Sequence, residues 1–240
     1  MDARFLPAGD TALVVEFGDE IDRTLSERAL ALAGRIRGAA LAGVIHTVPT
    51  FRSVMVHYDP TTTSGAQVAA EIRALIGSAH SSRRQRRLWR LPACYAAPCA
   101  PDLDTVAERT GLRSADLVER HAGTLFHVYM IGFVPGYPYM GDLPAELCLP
   151  RRADPRTRVP AGSIAIASCL TAVYPIESPG GWHLIGATPV CLFDTSSERP
   201  SLLAPGDAVR FEPISFDEHE AIRAAVAAGR YACASEEIEA

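Results

Sequence analysis

Glycines and prolines recur through residues 121–191, and no apolar run there goes far before one interrupts it. The stretch opens with HAGTLFHVYMIGFVPGYPYMGDLP, His121 to Pro144. It continues through PRTRVPAG, Pro155 to Gly162, and closes with YPIESPGGWHLIGATP, Tyr174 to Pro189. Such punctuation rules out long helices and dictates short strands joined by fixed turns. Further runs follow the same rule: Ser163–Ala167, Thr171–Tyr174, Trp182–Ile185, Val190–Phe193 and Ala208–Phe211. Many short strands with frequent Gly/Pro turns point to a closed barrel or a sandwich, and the barrel is the expectation. Two short helices, over 102–109 and 114–121, precede it, with Asp102 or Asp104 and then Ser114 as caps. A last helix over 217–229 follows, packing through Ile222, Ala225 and Val226. The acidic end, with Glu236, Glu237 and Glu239, is expected to fray.

The first third reads differently. Thr11–Phe17 is a short apolar run, and residues 21–36 carry Leu25, Ala29, Leu32 and Ile36 at helical spacing. Asp22 is the expected cap and Gly38 the expected stop. Strands follow over Gly43–Val48 and Ser53–Tyr58. In the second, Val54, Val56 and Tyr58 alternate with Ser53, Met55 and His57. Ser64–Ile76 is a second helix, and Leu88–Leu91 is expected to supply the last strand. Strand-helix-strand-strand-helix-strand is the order of a ferredoxin-like sandwich. The expected division is therefore a ferredoxin-like α/β domain over 1–82, a mainly-β barrel domain over 88–214, and a helix and tail over 215–240. Between the first two, Gly77–Arg90 carries Arg83, Arg84, Arg86, Arg87 and Arg90, and reads as a solvated linker or a dock for an acidic surface.

Composition narrows the function classes. A net charge of -5 argues against non-specific nucleic-acid binding. No apolar run approaches the roughly 18 residues of a membrane span, and the N-terminus carries no secretory pattern. Six scattered cysteines in a chain of 240 residues read as cytoplasmic thiols. Cys94 and Cys99 have no His/Cys partners to complete a zinc set, so no metal is expected. The phosphate-loop, dinucleotide and serine-elbow motifs are absent from the sequence.

The candidate site lies in the barrel. His121 falls at a helix end, suited to a general acid or an anion contact. Arg158 precedes a strand and is suited to a bidentate grip on a carboxylate or phosphate. These two are expected to be the catalytic pair, facing one small acidic molecule in a Gly/Pro-framed hollow. Tyr129, Gly136, Tyr174, Glu177, Trp182 and His183 are the expected substrate contacts, with Glu177 near Trp182 and His183 as an acid/base pair.

Seven blocks, in order along the chain, resemble one family: GDTALVVEFG (9–18), VPTFRSVMVHYDP (48–60), PDLDTVAERTGL (101–112), HVYMIGFVPGYPYMGDLP (127–144), PRTRVPAGSIAIA (155–167), YPIESPGGWHLIGATP (174–189) and LLAPGDAVRFEPI (202–214). They are similar to the B subunits of bacterial 5-oxoprolinases, also described as allophanate hydrolase subunit 1, a family that includes a sporulation-kinase inhibitor. The resemblance implies a cyclophilin-like β-barrel behind a ferredoxin-like domain. It implies partnership with two further proteins, one resembling the C subunit and one the A subunit of 5-oxoprolinase. It also implies ATP-dependent opening of 5-oxo-L-proline to L-glutamate by the assembly. Inhibition of a histidine kinase, or a part in a urea or allophanate route, are the alternatives it carries. Three departures stand out. The usual Gly-Gly-Glu-Phe-Gly is Ala96–Ala100 here, the usual Gln of Ala-Gly-x-Gln-Thr-Gly is Leu170, and the usual Arg of Ile-Gly-Arg-Thr-Pro is Ala187. An acid, an amide and a guanidinium are thus replaced by groups unable to make their hydrogen bonds. A changed pocket is the expectation.

Overall fold

The structure is a computed structural model that describes residues 3–77 and 86–238. It divides into two compact units, one before residue 86 and one from Arg86 onward.

The first unit is a four-stranded antiparallel sheet backed by two helices. Its strands are β1 (Arg4–Pro7), β2 (Ala12–Glu16), β3 (Val44–Pro49) and β4 (Ser53–Tyr58), in the spatial order β1-β2-β4-β3. Its helices are α1 (Arg23–Ala39) and α2 (Gly65–Gly77). The alternation in β4 is borne out, since Val54, Val56 and Tyr58 are buried. They meet Leu13 and Val15 of β2 and the stripes of the helices, among them Ala29, Leu32, Ile36, Val68 and Ile72. Asp22 caps α1, accepting from the Leu25 N–H at 3.0 Å. The helix does not stop at Gly38; it runs to Ala39, and Ala40 takes the left-handed turn at φ 45°.

The edge strand is a correction. Leu88–Leu91 does not complete this sheet. The N-terminal β1 fills that place instead, pairing with β2 from Arg4↔Glu16 to Pro7↔Leu13. A hairpin to the adjacent strand closes a far shorter loop than a return from the end of α2.

The second unit is a seven-stranded barrel. Its strands are β5 (Arg86–Cys94), β6 (Phe126–Ile131), β7 (Pro138–Gly141), β9 (Ser163–Ala167), β10 (Leu170–Val173), β12 (His183–Ala187) and β13 (Ala208–Ile214). They run β12-β9-β10-β7-β6-β13-β5, and β5 closes on β12 through Cys94↔Ala187. Between β7 and β9, β8 (Arg156–Val159) pairs with β11 (Ser178–Gly180) as a separate ribbon. Helices α3 (Leu103–Thr110) and α4 (Ser114–Gly123) cross from β5 to β6, and α5 (Phe216–Ala227) follows β13. Every residue of β9 and β10 is buried. That removes the in/out alternation and leaves continuous apolar runs. The expected strand over Val190–Phe193 is instead a loop, with one isolated bridge from Phe193 to Ser201.

Two further expectations are corrected here. The linker expected over Gly77–Arg90 lies partly outside the described residues, but Arg86, Arg87 and Arg90 stand on β5. The end expected to fray forms β14 (Ser235–Ile238), which pairs antiparallel with β5. Its acids meet those arginines: Arg90 contacts Glu236 at 2.9 Å and Arg87 contacts Glu237 at 3.9 Å, while Arg90 also reaches Glu212 of β13 at 3.3 Å. The acidic surface sought by that basic run includes the chain's own last strand.

The cysteines are not all thiols. Cys148 and Cys169 form a disulfide, with Cα atoms 4.3 Å apart. The two-residue turn between β9 and β10 places Ser168 and Cys169 at φ 50° and 62°, and swings Cys169 toward the segment after β7.

Candidate functional site

His121 lies in the last turn of α4, near the end expected for it, yet its side chain is entirely buried. Tyr95 Oη lies 2.8 Å from Nδ1, and Nε2 lies 2.9 Å from Thr171 Oγ1. Thr171 Oγ1 in turn donates to the Ala165 carbonyl at 3.2 Å. One assignment satisfies all three contacts: Tyr95 donates to Nδ1, and Nε2–H donates to Thr171. The ring also stacks on Phe211 at 4.9 Å and leans on Phe126 at 5.0 Å. Burial pulls its pKa down to about 3, so the ring is neutral. A neutral imidazole with both nitrogens engaged and no exposed face is a core group, not an acid facing solvent.

Arg158 sits on β8, and its side chain is 76% exposed. Its Nε lies 2.7 Å from Glu177 Oε2, just before β11. The expectation that His121 and Arg158 face one molecule is therefore corrected, because one is enclosed in the barrel core and the other is a surface ion pair. Glu177 likewise partners Arg158, not His183. His183 is buried, with Nε2 3.0 Å from the Pro150 carbonyl, and burial lowers its pKa.

The expected aromatic contacts fall into two groups. Tyr174 and Trp182 come together around Tyr137, whose ring lies 5.1 Å from Tyr174 and 6.2 Å from Trp182. Tyr139 joins them, and Arg151 lies over the Trp182 ring at 5.9 Å. Burial pushes the Tyr137 and Tyr174 hydroxyls upward, so both stay protonated and hydrogen-bonded to each other. Gly180 packs directly on the Tyr174 hydroxyl, where an added Cβ would sit 2.1 Å away. Tyr129 stands apart, buried, donating to Asp142 Oδ1 at 3.2 Å. Gly136 is at φ 77° and backs onto Phe193, where no side chain fits.

A Gly/Pro-framed hollow is present, but other residues line it. It is a cavity of about 490 Å³ walled by Pro98, Pro101, Pro160, Gly162, Pro175 and Pro189. Gly162, at φ 83°, lets the turn after Pro160 close to where a Cβ would lie 2.4 Å from the Thr188 carbonyl. Cys99, Ala187 and Cys191 also line it. Two of the three departures from the family pattern, at Ala96–Ala100 and at Ala187, thus border one space. α5 also lines it, through Phe216, His219, Glu220 and Arg223. The spacing of these four is one helix face. The apolar stripe of Ile222, Ala225 and Val226 hid this face, although His219, Glu220 and Arg223, at i, i+1 and i+4, were visible in DEHEAIR.

Beside the hollow, Asp102 secures the frame. It occupies the cap position of α3 but makes no cap bond. Its buried carboxylate instead accepts from Arg156 at 2.7 Å, Arg152 at 3.3 Å and the Leu184 N–H at 2.7 Å.

The family model described as carboxyltransferase domain, subdomain C and D, matches residues 3–203. The 5-oxoprolinase B subunit of Bacillus subtilis (strain 168) is 35% identical over 226 residues, covering 90% of this chain and 94% of its own. The chain belongs to the family of 5-oxoprolinase B subunits. A second family member, from Escherichia coli O157:H7, is 36% identical over 211 residues, covering 88% of this chain and 96% of its own. Among solved structures, TTHA0988 is similar at a TM-score of 0.78 and 34% identity. The match takes in 86% of this chain and 41% of that one, so this family member spans less than half of TTHA0988. Among the described residues, no helix is long and apolar enough to cross a membrane.

Proposed function

We propose that this chain is the B subunit of an ATP-dependent 5-oxoprolinase, working in the cytoplasm with two partners that resemble the enzyme's C and A subunits. The observation that carries this reading is identity of 35% and 36% to proteins named as 5-oxoprolinase B subunits, along nearly their whole length. The substrate is a five-membered lactam bearing a carboxylate. A hollow of about 490 Å³ has room for it, and its proline walls suit the ring's methylenes. The lactam amide is stable, so ring opening consumes ATP. Phosphorylation at the carbonyl oxygen followed by attack of water would give L-glutamate, ADP and phosphate. Developing negative charge on that oxygen calls for fixed donors or cations, contributed by the assembled complex. Of the two histidines expected to act, His121 and His183 are both buried and hydrogen-bonded, which supports a reaction completed by partner proteins.

Co-purification with the two candidate partners, followed by an assay of L-glutamate release, tests the reading. The complex is expected to release glutamate only with ATP present, and this chain alone to release none. A stable complex that binds 5-oxo-L-proline without ATP-dependent turnover would contradict it.

A further inference from the structure

The hollow's lining is electrostatically one-sided. Among its described lining residues, Glu220 and Arg223 carry the only full charges, and both come from α5. The rest of the lining, which includes Pro160, Ala187, Thr188 and Val190, carries no full charge. Glu220 is bracketed on its own helix: His219 Nδ1 lies 3.2 Å from it, and Arg223 Nη2 forms an ion pair with it. Both charges act on Cys99, another residue of the lining. Burial, with hydrogen bonding to Cys94, pushes the Cys99 thiol up to about 12; Glu220 adds to that rise and Arg223 opposes it. The family match ends at residue 203, so the helix that supplies these charges lies beyond the matched segment.

We propose that the inward face of α5 is the specificity element of the hollow, with Glu220 accepting the amide N–H and Arg223 binding the adjacent carboxylate of a small carboxylated lactam. This rests on the reading of the hollow as the lactam site. The two groups of the ligand are neighbours across one carbon, as Glu220 and Arg223 are neighbours on one helix turn. A carboxylate gains a charge-assisted bond from the guanidinium, and the lactam N–H gains one from the carboxylate. Ala187, also in the lining, has a short side chain and supplies no competing cation. His219, half of the bracket around Glu220, lines the same hollow and lies 3.2 Å from that carboxylate.

The test compares 5-oxo-L-proline with 2-pyrrolidone, the same ring without its carboxylate, in Arg223→Met, Arg223→Lys and Glu220→Gln complexes. Arg223→Met is expected to reduce the preference for the carboxylated ring by about tenfold or more, chiefly through KM, because a site built around a charged group discriminates strongly by its presence. Arg223→Lys is expected to keep part of that preference. Glu220→Gln is expected to weaken both rings alike. Arg223 is largely exposed, so these variants should fold as the native chain does. An unchanged preference in both Arg223 variants would overturn the proposal. If the native complex shows no turnover of 5-oxo-L-proline, the activity reading fails on its own. Calorimetric binding of the two rings to the native and variant chains then still decides the role of Arg223.

Discussion

Replacing Asp102 with alanine is expected to cost the fold about 3–5 kcal/mol, the range for removing one member of a buried ion pair. The loss has three parts. Arg156 and Arg152 lose the anion that holds them, and the Leu184 N–H of β12 loses its acceptor at 2.7 Å. Leu184 also lines the hollow, so the damage reaches that wall. The pH dependence follows from the same contacts. Burial alone would raise the Asp102 pKa, but the bond from Arg156 and the Leu184 N–H prevail and hold it below the usual carboxylate range. A depressed carboxylate stabilises above its unfolded pKa of about 3.9, and this support is lost as pH falls through the lower folded value. Urea unfolding of native and Asp102→Asn chains should therefore differ at neutral pH and converge below about pH 4. A constant difference down to the lowest pH would contradict this account.

His121 predicts the second large effect, with its own pH window. Its folded pKa, lowered to about 3, lies far below the unfolded value near 6.5. The unfolded chain takes up a proton on acidification while the folded core refuses it. Its contribution is therefore complete above about pH 6.5 and shrinks as pH falls toward 3, by roughly 1.4 kcal/mol per unit. Between pH 6.5 and 5 the native chain is expected to lose about 2 kcal/mol from this group, a slope that His121→Gln removes. Imidazole resonances of His121 should also stay unshifted from pH 8 to 5, a readout that needs no variant. A titration near pH 6.5 would show the ring to be accessible.

Much of the fold was legible because it is local. The alternation over Ser53–Tyr58, the Asp22 cap and the run Ser163–Ala167 each depend on neighbours within a few residues. What was hidden depends on distant pairings. Leu88–Leu91 is a strand in either unit by its own residues. Its true partner is β13, about 120 residues later, in a parallel ladder that local pattern does not encode. The acids of β14 looked like a solvated tail until Arg87 and Arg90 stood opposite them.

The candidate site was less legible for the same reason. A histidine in the last turn of a helix reads as exposed and ready for an anion. Phe126, Phe211 and Tyr95, from three other segments, enclose it. The hollow itself was foreshadowed by the prolines at 160 and 189 and by Gly162. The helix that charges it was not, because α5 shows two usable faces: one apolar through Ile222 and Val226, the other running through His219 and Arg223.

The central claim is that the lactam meets this chain in the hollow lined by α5, which neither His121 nor Arg158 lines. Cys191 is exposed at that hollow, whereas Cys233 lies outside it. The direct measurement is the alkylation rate of each cysteine in the assembled complex, followed by peptide mass spectrometry with and without saturating 5-oxo-L-proline. The account predicts that ligand slows Cys191 at least about fivefold, because a ring bound in the hollow shields the thiol, and leaves Cys233 unchanged. An unprotected Cys191 in a complex that binds the lactam would place the substrate elsewhere.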